Sequence, residues 1–257
     1  MSRTTGTLDR GDGVHLAWSK RAGTGPTVVF LPGFASDMGG AKATTLDDFC
    51  AARGQALLLL DYSGHGTSGG QFADGSIGRW YEDALFLIDQ LTTGPLLLAG
   101  SSMGGWIALL LARARPERVA ALVGIAAAPD FTEKLIWHGL PPAAREALLR
   151  DGHIDIPSAY GPPTRITRGL IEDGRSHLLL DAPIPLTMPV RLLQGLQDPD
   201  VPWQTALKLI EHISGGDVQA VLIKDGDHRL SRPQDLALLC RVVAALLDAE
   251  VPSLAAN

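Results

Sequence analysis

The sequence predicts an α/β fold in which a mostly parallel central sheet is covered by helices on both faces. Two observations support this prediction. Apolar runs at 27–31, 56–60 and 96–99 are continuous rather than alternating, which is typical of strands buried on both faces. Helical patterns separate these runs, as expected for parallel strands joined by crossover helices. A length of 257 residues fits a single large domain of this class.

The remaining elements follow from periodicity and from the residues that end each run. An alternating stretch at 14–18 predicts an early antiparallel strand, and later buried strands are expected at 119–125, 190–195 and 218–223. Amphipathic or buried helical patterns occur at 43–53, 80–91, 106–114, 204–213 and 233–247. Together they give a doubly covered sheet.

Between residues 129 and 185 the alternation of strand and helix patterns stops. The stretch contains repeated prolines, two short helical patterns at 143–150 and 166–173, and no clear strand. It is too long for a structureless loop in a compact domain, so we expect a mostly helical insertion over the carboxyl edge of the sheet. We call residues 129–185 the cap segment. Trp137, Leu140 and Tyr160 are candidates to contact substrate, although packing within the cap segment is the favoured alternative for each.

Composition limits the possible partners. The net charge is −6 and no long basic run occurs, which argues against a nucleic-acid partner. No apolar run reaches the length of a membrane span, and residues 1–6 carry neither a secretory signal nor an Arg-rich transit pattern. Cys50 and Cys240 lie in apolar helical patterns, which favours buried thiols over a disulfide. We therefore expect a cytoplasmic protein and leave its oligomeric state open.

The most informative motif surrounds Ser102, which lies between a buried strand and a helix. Gly100 and Gly104 flank it in the G-x-S-x-G pattern of a nucleophile elbow. Such a turn strains the Ser backbone and brings strand and helix so close that a Cβ at either flank would clash. The alternative is a Gly-rich turn in which Ser102 merely caps the helix.

Three other predicted strand ends carry groups that complete a catalytic site. Asp198 and His228 follow later strands, so the chain order is Ser, Asp, His. His228 has the right chemistry for the base, Asp198 for the acid that orients it, and the backbone N–H groups of Phe34 and Met103 for an oxyanion hole.

Other polar residues near these strand ends allow different interpretations. Asp200 is a rival for the acid, and it could equally cap the next helix. Asp61 and His65 resemble catalytic groups, but the Gly-rich turn around them favours structural roles. No His, Cys or Asp pair has the spacing of metal ligands, and no dinucleotide-binding fingerprint follows the first buried parallel strand. We therefore expect neither a metal nor a cofactor.

With these motifs in place, the chain resembles the α/β-hydrolase superfamily from its early strand to its last helix. The phrases around Gly33, Asp61, Ser102 and Asp198, together with Asp227-His228-Arg229, are similar to the mitochondrial palmitoyl-protein thioesterase family, also known as mycophenolic acid acyl-glucuronide esterases. This resemblance implies Ser102 as nucleophile, Asp198 as acid and His228 as base. It also implies S-depalmitoylation and acyl-glucuronide hydrolysis as activities of the family, and therefore a small-molecule or acyl-protein substrate.

The residues and the resemblance together predict a serine hydrolase that cleaves acyl esters or thioesters through an acyl-enzyme. Two alternatives stay open at this stage. The same triad could hydrolyse a C–C bond or a lactone, because the catalytic core does not discriminate between these reactions. A relative that retains the pocket only to bind a small ligand is the other alternative.

Overall fold

A computed structural model describes residues 2–158 and 161–249 of the chain. Its central feature is an eight-stranded sheet, and a separate two-stranded hairpin lies within the cap segment. The ten strands are β1 (Arg3–Asp9), β2 (His15–Arg21), β3 (Thr24–Leu31), β4 (Gln55–Leu60), β5 (Leu96–Ser101), β6 (Val119–Ile125), β7 (His153–Ser158), β8 (Gly161–Thr167), β9 (Val190–Gly195) and β10 (Val218–Ile223). The seven α-helices among the described residues are α1 (Ala41–Arg53), α2 (Ile77–Leu91), α3 (Met103–Ala114), α4 (Pro142–Asp151), α5 (Arg168–Arg175), α6 (Gln204–His212) and α7 (Pro233–Asp248).

Strand order places the predicted nucleophile strand in the middle of the sheet. The order is β1-β2-β4-β3-β5-β6-β9-β10, and every pairing from β4 to β10 is parallel. Only β1 with β2 and β2 with β4 pair antiparallel. Because parallel strands end at the same edge, the loops after β3, β5, β9 and β10 meet there. The predicted α/β-hydrolase fold is confirmed.

Helices cover both faces of this sheet, as the apolar runs predict. One core contains buried residues of α2, α3 and α6, and the other contains buried residues of α1 and α7. The α3 helix is buried along residues 103–112, in agreement with its apolar sequence. Cys50 is buried, Cys240 is half-buried, and both are free thiols. None of the helices in the described ranges is both long and apolar enough to span a bilayer.

Two strand predictions were incomplete. The β1 strand was missed because its Thr-rich, mostly exposed sequence carries no apolar alternation, yet all seven residues pair with β2. The cap segment contains the β7–β8 hairpin, so the expectation of no strand there was wrong. Prolines at 157, 162 and 163 argue against central strands, but a two-stranded hairpin consists only of edges and tolerates them.

Between β6 and β9 the chain forms a π-helix (Thr132–Trp137), then α4, the hairpin and α5. The helical pattern predicted at 166–173 begins two residues later than expected, because residues 166 and 167 belong to β8. The ring of Phe131 contacts Phe34 and Trp106, with centroids 5.6 and 5.8 Å apart, so the start of the cap segment touches the loop after β3. The bounds of the cap as a unit, 129–185, stay a prediction.

Candidate active site

The turn between β5 and α3 has the geometry of a nucleophile elbow. Ser102 has φ 53° and ψ −118°, a strained backbone for a residue with a Cβ. A Cβ at Gly100 would lie 2.2 Å from the Gly104 carbonyl oxygen, and a Cβ at Gly104 would lie 2.0 Å from the Leu31 carbonyl oxygen. The two glycines are therefore required by close backbone approach. Ser102 occupies the N-cap position, but its side chain makes no capping hydrogen bond, which removes the alternative of a simple cap.

The hydroxyl of Ser102 faces the imidazole of His228. Ser102 Oγ lies 3.1 Å from His228 Nε2, and His228 Nδ1 lies 2.8 Å from Asp198 Oδ2. The carboxylate therefore accepts from Nδ1–H, which leaves the Nε2 lone pair directed at the Ser hydroxyl. The structure thus brings together the three residues that the sequence assigns to the triad, although they lie in three separate loops.

Asp198 is fixed by its own hydrogen bonds and is kept ionised. Its side chain is fully buried, and its Oδ1 accepts from the backbone N–H groups of Asp200 and Val201 at 2.9 and 2.8 Å. Burial acts to raise the pKa of Asp198, but the hydrogen bonds from His228 and from these two amides outweigh it, so the pKa lies below its usual value.

The rival acid, Asp200, lies two residues beyond Asp198 in the same loop. Its side chain is exposed, and its backbone N–H supports Asp198. It does not cap the next helix, because Trp203 is the N-cap residue of α6. Asp198 Oδ2 accepts the hydrogen bond from His228 Nδ1 at 2.8 Å.

Two residues that the sequence did not single out support the triad. Gln194 is buried at the end of β9, and its Nε2 donates to Asp198 Oδ2 at 3.0 Å and to the Val201 carbonyl at 3.2 Å. Lys42, near the start of α1, donates from Nζ to the Arg229 carbonyl next to His228. Burial and the charge of Arg229 lower the pKa of Lys42 to about 8. No spacing pattern reveals either residue, because the Lys42 contact joins loops far apart in sequence and the Gln194 contact depends on how the chain turns after β9.

The loop after β3 lies directly against the nucleophile. A Cβ at Gly33 would lie 3.3 Å from the Ser101 carbonyl oxygen and 3.4 Å from the Cβ of Ser102. Phe34 follows Gly33, and Met103 opens α3, where the first amides of a helix have no intrahelical acceptor. Both backbone N–H groups therefore belong to segments that meet at Ser102, and their role as oxyanion donors stays a prediction.

A cavity of about 320 Å³ opens at this edge of the sheet, within the range of small-molecule sites. Its lining includes Phe34, Lys42, Ser102, His228 and Arg229. Neither Trp137 nor Leu140 is among the described residues that line it. The Trp137 ring packs instead between two guanidinium groups of the cap segment, with Arg145 Cζ 5.4 Å and Arg175 Cζ 4.9 Å from its centroid. Tyr160 lies outside the described residues.

Asp61 and His65 lie in the loop after β4 and hold loop backbone, as the turn chemistry predicts. Asp61 accepts from the amides of Met38 and Thr67 at 2.7 and 2.9 Å. A Cβ at Gly66 would lie 2.1 Å from the Asp61 carboxylate, which explains the glycine there. His65 is buried and bonds to backbone atoms of Ala35 and Ser63.

Three metal-ligating side chains nevertheless come together in the site. The ligand atoms of Asp198, Asp200 and His228 lie within 4.8 Å of one another. Ligand spacing along the chain does not reveal this cluster, because folding brings the three side chains together. His228 Nδ1 and Asp198 Oδ2 are 2.8 Å apart, a hydrogen-bond distance, which fits a proton between them better than a metal ion.

This sheet, with a Ser on the elbow after its central strand and with an Asp and a His after later strands, defines the class of α/β hydrolases. The family described as serine aminopeptidase, S33, matches residues 24–153. The mouse mitochondrial palmitoyl-protein thioesterase ABHD10 is 40% identical over 243 residues, which cover 94% of this chain and 82% of the relative.

Solved structures show the same relationship. A hydrolase from Agrobacterium vitis S4 has a TM-score of 0.93 and 42% identity, covering 96% of this chain and 100% of that one. The mouse alpha/beta hydrolase domain-containing protein 10 has a TM-score of 0.89 and 39% identity, covering 95% and 98%. The chain belongs to the α/β-hydrolase family of this palmitoyl-protein thioesterase, and it is a hydrolase of ester or thioester bonds.

The comparisons confirm the family predicted from the motifs and correct one expectation. The prediction of a cytoplasmic protein is wrong by this criterion, because the relatives at 38–40% identity are named as mitochondrial proteins. The absence of a recognisable targeting pattern in residues 1–6 was weak ground for a location.

Proposed function

We propose that this hydrolase works by nucleophilic catalysis, with Ser102 as nucleophile, His228 as general base and acid, and Asp198 as the orienting carboxylate. A single observation carries the proposal: the His228 imidazole lies within hydrogen-bond distance of Ser102 Oγ on one side and of Asp198 Oδ2 on the other. A Ser hydroxyl is a weak nucleophile at neutral pH and requires such a base.

In the acylation step, Ser102 Oγ attacks the carbonyl carbon of the substrate while His228 Nε2 takes the hydroxyl proton. The tetrahedral intermediate then collapses as the carbon–sulfur or carbon–oxygen bond breaks. The proton on Nε2 passes to the leaving thiolate or alkoxide, and the acyl group stays on Ser102 as an ester. The buried, ionised Asp198 stabilises the transient imidazolium.

Negative charge on the substrate oxygen is stabilised by the backbone N–H groups of Phe34 and Met103. The N-terminus of α3 adds the favourable end of its dipole at the same point. Such donors are preorganised, because strained turns and close glycine contacts hold both segments, and removing one donor from a site of this kind costs about 10²–10³ in kcat.

Deacylation reverses the roles. A water molecule gives a proton to His228 Nε2 and attacks the acyl-enzyme carbonyl. The second tetrahedral intermediate releases the carboxylic acid as Ser102 Oγ recovers the proton from Nε2. Both half-reactions use the same three side chains.

For the substrate class we propose S-acylated thiols, including those of proteins. The support is the similarity to the mouse palmitoyl-protein thioesterase ABHD10, which aligns with 94% of this chain. A thiolate leaves readily, so a thioester needs less help from the protonated His228 than an oxygen ester does.

The catalytic roles are tested with the Ser102→Ala variant. Turnover of a p-nitrophenyl ester and covalent labelling by a fluorophosphonate probe are both expected to be abolished. Ser101→Ala is the matched control and should still be labelled, since Ser101 is the last residue of β5 and Ser102 is the serine whose Oγ lies next to His228 Nε2. Retained turnover in Ser102→Ala would contradict the assignment.

The substrate class is tested by a side-by-side rate comparison. Acyl-thioesters of several chain lengths, the corresponding p-nitrophenyl esters and acyl glucuronides are assayed with Ser102→Ala as the blank. Thioester cleavage at the rate of the blank, with esters still hydrolysed, would reject the thiol substrates and leave the triad assignment intact.

A further inference from the structure

The buried imidazole of His65 has no role in the mechanism proposed above, yet it joins two loops at the edge of the active site. His65 is 4% exposed and lies in the loop after β4. Its Nδ1 is 3.1 Å from the Ser63 carbonyl oxygen, and its Nε2 is 3.3 Å from the backbone nitrogen of Ala35. Ala35 follows Phe34, one of the two residues proposed to donate to the oxyanion.

These two partners define the protonation state of the ring. The Ser63 carbonyl can only accept, so Nδ1 carries the proton, and the Ala35 N–H can only donate, so Nε2 presents its lone pair. Only the neutral Nδ1–H tautomer satisfies both. Burial lowers the pKa of His65, against the opposing effects of the Ser63 hydrogen bond and the charges of Asp83 and Asp37. The ring therefore stays an acceptor at neutral pH.

The residue that His65 holds is strained. Ser36 N–H donates to the Gly33 carbonyl at 3.1 Å and closes a turn in which Ala35 has φ 53°. A residue with a Cβ costs about 1–2 kcal/mol in this left-handed region. Turns with positive φ at the third position differ from the common type I turn in the orientation of the central peptide. Here that peptide joins Phe34 to Ala35, and its N–H is the one bonded to His65.

Aromatic packing links the same two residues. Phe72 lies 4.9 Å from the Phe34 ring and 5.1 Å from the His65 ring, measured between centroids. Trp80 lies 5.7 and 5.0 Å from the same two rings. Phe34 and His65 thus pack against the same two rings. If the turn at Ala35 changed conformation, this packing would keep the imidazole from moving with it.

We propose that His65 is a positioning residue that holds the Phe34–Ala35 peptide in its strained turn and so keeps the adjacent Phe34 N–H directed at the substrate oxygen above Ser102. This inference rests on the proposed function, because it requires Phe34 to donate to the oxyanion. His65 itself contacts neither the substrate nor the reacting atoms.

The test uses two amide replacements that each reproduce one ring nitrogen. In His65→Gln the side-chain oxygen reaches the position of Nε2 and can accept from Ala35. In His65→Asn the shorter amide can donate to the Ser63 carbonyl but cannot reach Ala35. We expect His65→Asn to lower kcat for a p-nitrophenyl ester by about 10–100-fold with KM within about twofold, while His65→Gln retains kcat within about fivefold.

A second variant separates positioning from general stability. Gly adopts positive φ without penalty, so Ala35→Gly lets the turn persist without support from His65. In the Ala35→Gly background we expect His65→Asn to lower kcat by less than about threefold, a coupling that a double-mutant cycle measures. A purely structural role would lower the melting temperature and kcat equally in both backgrounds.

The possible outcomes are distinct. Equal kcat for the Asn and Gln variants, or the same loss in both Ala35 backgrounds, overturns the role of His65 while leaving Ser102→Ala inactive. Turnover in Ser102→Ala instead overturns the proposed function itself. Circular dichroism melts of each variant show that kcat is compared among folded proteins.

Discussion

Two regions of the molecule are held by different kinds of contact. One is the catalytic edge, which consists of the loops after β3, β4, β5, β9 and β10, and the other is the cap segment. At the edge, buried carboxylates accept backbone amides: Asp198 from two, and Asp61 from two more. In the cap segment, exposed or half-exposed ion pairs such as Lys134–Asp181 and Arg175–Glu133 carry much of the polar contact. Exposed pairs contribute about 0–1 kcal/mol each, whereas an unsatisfied buried group costs more.

This difference indicates which parts of the chain tolerate substitution. Amide-to-carboxylate bonds set loop backbone within a narrow geometry, as catalysis requires. Ion pairs between long, exposed side chains tolerate replacement, so a segment that they hold can change sequence while the edge stays fixed. The exception in the cap segment is Asp130, which is fully buried and accepts from the amides of Leu179 and Leu180 at 2.8 and 2.9 Å.

The largest effect is expected at the catalytic edge, from Asp198→Asn. The single amide oxygen is retained by the N–H groups of Asp200 and Val201, so the N–H₂ group faces His228 Nδ1. The imidazole is then favoured in the wrong tautomer, and kcat should fall by about 10³–10⁴. Steady-state kinetics on a p-nitrophenyl ester measures the change. Asp200→Asn is the control and should cost far less, and the reverse ranking would transfer the acid role to Asp200.

A smaller effect is expected from Asp130→Asn, which tests whether one buried carboxylate joins the two ends of the cap segment. The variant keeps one acceptor oxygen and faces the second amide with its own N–H₂. Urea unfolding should show a loss of about 1–3 kcal/mol in the free energy of unfolding. Asp181→Asn removes an exposed partner of Lys134 and should change it by less than about 1 kcal/mol. Equal losses in the free energy of unfolding of the two variants would contradict the proposed difference between buried and exposed contacts.

The smallest effect on catalysis is expected from Trp137→Ala in the cap segment. Its ring packs against Arg145 and Arg175 rather than along the cavity at Ser102, so kcat/KM for a short acyl ester should stay within about threefold. Each lost cation–π contact costs about 0.5–1 kcal/mol of stability, which thermal melting detects. A tenfold drop in kcat/KM at an unchanged melting temperature would restore Trp137 as a substrate contact.

Prediction from sequence succeeded where local backbone chemistry is decisive. The G-x-S-x-G spacing identified the Ser102 elbow because strand and helix leave no room for a Cβ at Gly100 or Gly104. It failed for β1, which is mostly exposed, and for the β7–β8 hairpin, whose sequence contains three prolines. Edge strands are stabilised by pairing with a neighbour, which no single stretch of sequence displays.

The sequence by itself determined the parallel sheet, the elbow and the order Ser, Asp, His, because apolar runs and the glycine spacing around Ser102 are recognisable within short stretches of the chain. Only the tertiary structure decided which carboxylate meets His228, that Gln194 and Lys42 support the triad, and that His65 reaches across to Ala35. The contact of Gln194 with Asp198, four residues away, depends on the turn that follows β9. The contacts of His228, Lys42 and His65 join loops that are distant in sequence and adjacent only once the parallel strands end at one edge. Their energies depend on distances of about 3 Å between hydrogen-bonded atoms, which folding alone sets.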